Sequence, residues 1–336
     1  MRPGGRSQRP PGVGGPRAAG RPSRFAGMRQ ELEERPAVGV AHFADRLAEA
    51  VERKRSQLVV GLDPVAEQLP VELRGETVLE RPAAAAASAR FCRGIVDAVA
   101  PHAVAVKPQS AFFEALGSDG VRAYEDVCDY ARAAGLLVLA DVKRGDVGST
   151  ARAYAAAYVE PRGQLPPLAD AATVQPYLGR DGVEPFLAAC RRGGAGLFCL
   201  VKTSNPGGAE VQDARLSDGR RLWQHVAELV REWGEDLVGE RGLSAVGAVV
   251  GATFPREVEE VRRLLPRAVL LLPGVGAQGG TASDLGPAFT SGPASALVSA
   301  SRSIIYAYRS RGGDWRSAAG AEAASLSRRV WAVSGW

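Results

Sequence analysis

From Phe43 onward, short apolar runs alternate with longer amphipathic stretches. The runs fall at Leu58 to Leu62, Ala103 to Val106, Leu136 to Ala140, Ala171 to Val174, Leu197 to Val201, Ala245 to Val250, Ala268 to Leu272 and Ala296 to Ser299. Aliphatic runs this short, bounded by glycine, proline or charge, predict buried strands. Between them, Ala83 to Ala100, Gly120 to Ala134, Gly182 to Arg192, Gly219 to Val238 and Pro255 to Leu265 carry helical periodicity. Strict alternation predicts a parallel sheet with right-handed crossovers, and eight strand-forming runs predict a (β/α)8 TIM barrel. An open doubly wound sheet is the alternative architecture, but the G-x-G-x-x-G pattern that usually follows its first strand is missing there.

The predicted strands end in polar groups. Asp63 follows the first run, Lys107 the second, and Gln175 the fourth; Lys202-Thr203-Ser204-Asn205 follows the fifth and Gly251-Ala252-Thr253 the sixth. In a barrel these residues gather at the C-terminal mouth, where such folds keep their chemistry. The third run is the densest. A period-two strand puts Asp141 and Lys143 on one face, and Asp146 lies beyond, in a turn opened by Gly145 and closed by Gly148. The seventh run ends in Pro273-Gly274-Val275-Gly276-Ala277-Gln278-Gly279-Gly280, a loop able to present bare backbone N–H groups to an anion. The eighth leads to Ser301-Arg302-Ser303, where a helix is predicted to begin. Loops seven and eight with a helix N-terminus form the usual phosphate site of phosphate-binding barrels, so the predicted substrate is a phosphorylated small molecule.

Composition sharpens the chemistry. Of 42 basic residues only Lys54, Lys107, Lys143 and Lys202 are lysines, and the last three each end an apolar run. Lysine can give up a proton and arginine effectively cannot, so these positions call for a titratable amine or a compact charge. The excess positive charge lies elsewhere. Residues 1–37 carry eight Arg against three Glu, which leaves the remainder formally neutral with 34 basic and 34 acidic residues. This Arg-, Pro- and Gly-rich segment is expected to be a disordered tail, with residues 38–336 forming one barrel domain. Without interleaved aromatics it is not expected to bind nucleic acid. A start at Met28 would remove six of its arginines. Four cysteines without a C-x-x-C pair and three scattered histidines give no zinc-ligand spacing and suggest a reducing, cytoplasmic setting. No apolar stretch approaches the roughly 20 residues that span a bilayer, so no membrane association is expected.

Asp141-Val142-Lys143-Arg144-Gly145-Asp146-Val147-Gly148-Ser149-Thr150 resembles the D-x-K-x-x-D signature of orotidine 5'-phosphate decarboxylases. Gly61-Leu62-Asp63-Pro64, Val106-Lys107-Pro108-Gln109, Pro176-Tyr177-Leu178-Gly179 and the glycine loop after the seventh run are similar to the longer, type 2 bacterial branch of that family. The resemblance covers about Phe43 to Tyr308, and the segment beyond Tyr308 carries no assignable motif. It implies decarboxylation of orotidine 5'-phosphate to UMP, the last step of de novo pyrimidine nucleotide synthesis, without metal or organic cofactor. By motif position it implies a charged network of Lys107, Asp141, Lys143 and Asp146, with Lys143 protonating C6 and Asp146 supplied by the partner in a homodimer. It further implies ribose contacts from Asp63 and Thr150, pyrimidine contacts from Thr203 or Ser204, and phosphate contacts from Gln278 and Arg302. Other chemistries remain open at this point. Related barrels with the same pattern use Mg²⁺ in sugar-phosphate chemistry, Lys202 could serve a Schiff-base aldolase, and an RNA-associated protein could act through the Arg-rich tail.

Overall fold

The short aliphatic runs become strands because they are covered on both sides, by side chains inside a barrel and by helices outside it, which favours near-continuous hydrophobic sequence. In the computed structural model, which describes residues 41–75, 80–275 and 282–336, β1 (Leu58–Leu62), β4 (Ala171–Val174), β6 (Ser244–Val250) and β8 (Ala296–Ala300) are buried at every position. With β2 (Ala105–Pro108), β3 (Leu137–Arg144), β5 (Gly196–Lys202) and β7 (Ala268–Pro273) they pair in sequence order, all in parallel. β1 closes on β8. The fold is a (β/α)8 barrel, as the alternation predicts.

Two strands run further toward the mouth than their apolar runs. β2 continues through Lys107 and Pro108, which pair with Gly61 and Leu62 of β1, and β3 continues through Asp141, Val142, Lys143 and Arg144. The charged residues are thus held by the sheet instead of hanging from loops. In the other direction, the helix expected from Gly219 to Val238 contracts to Leu222–Trp233, because residues on either side form isolated bridges, Arg215 with Arg221 and Val238 with Ser244.

The segment beyond Tyr308 completes the outer layer. Asp314 caps the helix Trp315–Ser334 by accepting the Ser317 N–H at 2.9 Å, and that helix packs on Arg81–Val99. Trp315 lies 5.1 Å from Phe91, centroid to centroid, and sits over Gly94, where a Cβ would come within 2.3 Å of its ring. Glycine is the residue that admits the indole there. At the opposite end from the mouth, buried Arg262 donates to the carbonyls of Leu265, Ala268, Ala288 and Ser295, tying together the segments that enter β7 and β8. Burial lowers its pKa to about 10. Among the described residues no helix is long and apolar enough to cross a membrane. The expected tail, residues 1–37, and the phosphate residue expected at Gln278 lie outside the described residues.

Candidate active site

The site is built from an irregularity in β3. Leu139 and Ala140 pair with Ala171 and Ala172 of β4, but the next partners are Arg144 and Val174, so β3 spends four residues where β4 spends two. This bulge holds Lys143 at φ +43°, a left-handed conformation uncommon outside glycine. The backbone N–H groups of Val142 and Lys143 both donate to Thr173 Oγ1, each at 3.0 Å. Thr173 in turn donates its hydroxyl proton to Asp141 Oδ1 at 3.0 Å.

Asp141 is the centre of the arrangement. Oδ1 also accepts from Lys143 Nζ at 2.5 Å, and Oδ2 accepts from Lys107 Nζ and from Gln109 Nε2, the latter at 3.1 Å. A carboxylate offers about four lone-pair directions, and here four donors approach it. Burial on its own would raise the carboxyl pKa, but the Lys107 and Lys143 charges outweigh it and hold the group down at about 2. For Lys107, burial works to lower the pKa, and the Asp141 and Asp63 carboxylates prevail and raise it. Asp141 is therefore an anion and Lys107 a cation at neutral pH, in a setting of low dielectric. Lys143 differs in one respect. Its side chain is 45% exposed, whereas that of Asp141 is 6% exposed.

Above this network a cavity of about 930 Å³ opens. Lys107, Asp141, Lys143, Thr203 and Ser204 all line it, with Leu200, Val249 and Leu271 among its apolar walls. Thr203 is fixed by Gln212, which accepts the Thr203 N–H at 2.9 Å and donates to Oγ1 at 2.7 Å. Ser204 packs so closely on Gly251 that a Cβ there would lie 3.0 Å from it.

The other expected residues are placed differently. Asp63 is outside the cavity lining, with a buried Oδ1 that has no hydrogen-bond partner, and Tyr306 holds its loop by donating to the Asp63 carbonyl at 3.1 Å. Asp146 accepts the Val147 N–H at 2.7 Å and joins no ion pair among the described residues. Thr150 is exposed on the helix Gly148–Val159, and Arg302 is exposed at the first position of the short helix Arg302–Ile305 after β8. Neither lines the cavity. Lys202 is buried away from the cavity, donating to Asp213 at 2.8 Å with its ammonium 5.2 Å from the Phe254 ring centroid. That placement does not suit a lysine that must reach a substrate carbonyl.

Gln109 and Thr173 are site residues that the sequence analysis did not single out. Gln109 lies two residues past Lys107, so period-two alternation directs it to the same face. Thr173 is the one polar residue of the run Ala171–Val174, and a hydroxyl buried to that extent needs a partner.

A sequence model of the orotidine 5'-phosphate decarboxylase / HUMPS family matches residues 56–312. Among curated relatives, the orotidine 5'-phosphate decarboxylase of Rhodopirellula baltica is 48% identical over 271 residues, covering 80% of this chain and 89% of its own. That of Haloarcula marismortui is 43% identical over 298 residues, covering 86% of this chain and 98% of its own. The solved structure of Leishmania donovani OMP decarboxylase superposes with a TM-score of 0.67 at 32% identity, over 87% of this chain and 98% of that one.

Proposed function

The chain belongs to the orotidine 5'-phosphate decarboxylase family, and from that premise we propose how its barrel mouth removes CO₂ from orotidine 5'-phosphate to give UMP. The activity is the decarboxylation step of pyrimidine biosynthesis. The observation that carries the assignment of roles is the alternating Lys107, Asp141, Lys143 network on the wall of the cavity.

The C6–carboxylate bond breaks, CO₂ departs, and its electron pair stays on C6. Lys143, the exposed member of the network, delivers a proton to that carbon and is left as an amine that regains a proton from water. A fixed ammonium beside developing negative charge stabilises the transition state more than the ground state. Asp141 lies against the substrate carboxylate, where two like charges about 4 Å apart repel by roughly 4 kcal/mol at an effective dielectric of 20. Lys107 keeps Asp141 ionised and in place. Thr203 and Ser204 read the pyrimidine edge, Asp63 and Thr150 the ribose, and Arg302 with Gln278 the phosphate. Phosphate contacts far from C6 supply binding energy that can close loops over the site.

Neither metal nor organic cofactor takes part in this scheme. A Mg²⁺-dependent sugar-phosphate reaction would need Asp141 as a ligand, yet its two oxygens already accept four donors, two of them cationic. The working form is a homodimer in which Asp146 enters the partner's site. Asp146 is unpaired by cations among the described residues, and exposed apolar side chains suited to contact with a second copy stand next to it at Val147 and in the loop after β4 at Tyr177, on the cavity rim, and Leu178. The setting is cytoplasmic, consistent with four free, buried cysteines. The test is an ultraviolet assay of orotidine 5'-phosphate loss with UMP identified as product, run with and without chelator. Turnover unaffected by chelator is the expected result; no UMP formation overturns the assignment, and chelator sensitivity overturns its metal-free form.

A further inference from the structure

Successive amides of a regular strand point to opposite sides, so two neighbours cannot share one acceptor. In β3 they do, because the left-handed turn at Lys143 swings the Val142 and Lys143 N–H groups into a small anion-type nest whose occupant is a side-chain oxygen, Thr173 Oγ1. A hydroxyl has two acceptor lone pairs and one proton. With both N–H groups on the oxygen, the proton has one remaining direction, and Asp141 Oδ1 lies along it at 3.0 Å.

We propose that Thr173 is a positioning residue for the reaction: its hydroxyl clamps the bulge that aims the Lys143 ammonium into the cavity and, through the same atom, orients the Asp141 carboxylate. The proposal rests on the decarboxylase assignment for its kinetic consequence, but not for its structural one. The clamp explains how a bulky residue persists at φ +43°, a conformation that is costly unless its surroundings enforce it. It also couples the two charged groups. Thr173 reaches Lys143 through the backbone and Asp141 through the side chain, so loss of one hydroxyl releases both ends of the Lys143–Asp141 pair, whose mutual distance is 2.5 Å.

The test compares Thr173→Val, which keeps the shape and removes the hydroxyl, with Thr173→Ser, which keeps the hydroxyl. In Thr173→Val, kcat should fall at least about tenfold with KM changed less than about threefold, because misaimed reacting groups cost rate more than affinity. Amide exchange of peptides containing Val142 and Lys143, followed by mass spectrometry, should quicken at least about tenfold. Thr173→Ser should restore both. A Thr173→Val enzyme with wild-type kcat and exchange overturns the proposal, as does a rise in KM with unchanged exchange, which would mark a substrate contact instead. Should the valine variant not fold, the wild-type protein alone still decides: unprotected Val142 and Lys143 amides would show that the clamp does not exist. A wild-type enzyme that forms no UMP defeats the functional assignment while the exchange measurements stand on their own.

Discussion

Two adjacent regions of the mouth contain the same charge pattern, a carboxylate between two cations. In one, Asp141 lies between Lys107 and Lys143; in the other, Asp213 lies between Lys202, at 2.8 Å, and Arg221, at 3.1 Å. Net charge does not distinguish them, and the residue types differ only in the second cation, arginine in place of lysine. What does is where the pattern faces and how firmly it is held. The Asp141 set borders the cavity and its carboxylate is 6% exposed, whereas Asp213 is 26% exposed and Lys202 is sealed beneath Phe254, off the cavity. On the mechanism we propose, the first is a preorganised electrostatic site, its fixed charges facing the cavity where charge would develop. The second pins the segment between Thr203 and Leu222 to the end of β5. Charge clusters do chemistry when a substrate can reach them, and otherwise they do carpentry.

The sharpest way to break this contrast is at the lysines. Lys143→Arg keeps the positive charge but removes a transferable proton and a compact shape, so kcat should drop by at least about 10²-fold; near-normal turnover would remove Lys143 from its role as acid. A partial recovery of activity, smaller in size but more specific, tests the shared site. Lys143→Ala and Asp146→Ala should each be nearly inactive, and unfolding, mixing and refolding the two should return roughly a quarter of wild-type activity, since half of statistically paired dimers have one intact site. Tagged heterodimers as inactive as the parents would put Asp146 to work within its own chain.

Acid titration separates the two carboxylates by energy. The folded pKa of Asp141 is depressed from 3.8 to about 2, so its contribution is present above the unfolded value and is lost as pH falls from about 4 toward 2. That shift corresponds to about 2 kcal/mol. Asp213 is also lowered, first by its hydrogen bond from Lys202, giving the same sign, but its exposure lets solvent screen the effect. Denaturant melts between pH 5 and pH 2 should therefore flatten clearly in Asp141→Asn and little in Asp213→Asn. Equal flattening would show that the two carboxylates are held with the same energy. The smallest kinetic effect is expected at Lys202→Met, with kcat within about threefold of wild type and a Tm lowered by about 2–4 °C as the loop anchor is lost. A large loss of kcat there would make the second cluster catalytic after all.

The barrel was legible because burial on both faces writes itself as aliphatic runs: β1 and β4 begin and end where their runs do. Lys107, Asp141 and Lys143 were legible because charge at the end of a buried strand is costly without a use. Register was not legible. Nothing local in Asp141-Val142-Lys143 announces a left-handed lysine, since intrinsic preference opposes it and a threonine on the next strand imposes it. The same blindness affects Lys202, which by alternation should face the cavity with Leu200; a register shift between those two residues against β6 turns it away. Asp63, Asp146 and Arg302 are legible as positions just past strand ends and Thr150 as a position in the helix after β3, but whether they reach a ligand or a second chain is a matter of loop geometry that spacing does not encode.

The closure of β1 on β8 bears on how the protein comes to exist. Leu58 pairs with Val298, and Tyr306 donates to the Asp63 carbonyl and accepts the Val65 N–H at 2.8 Å, so the loop leaving β1 is held by residues some 240 positions later. Joining the ends of so long a chain carries a loop entropy that nearby contacts do not, and parallel pairing adds further distance in sequence to each ladder. On a ribosome, the strands bearing Lys107, Asp141 and Lys143 emerge well before the residues that close the ring around them. Until β8 arrives, the sheet has two open edges and an uncovered interior, the form of the chain most exposed to aggregation and to proteases.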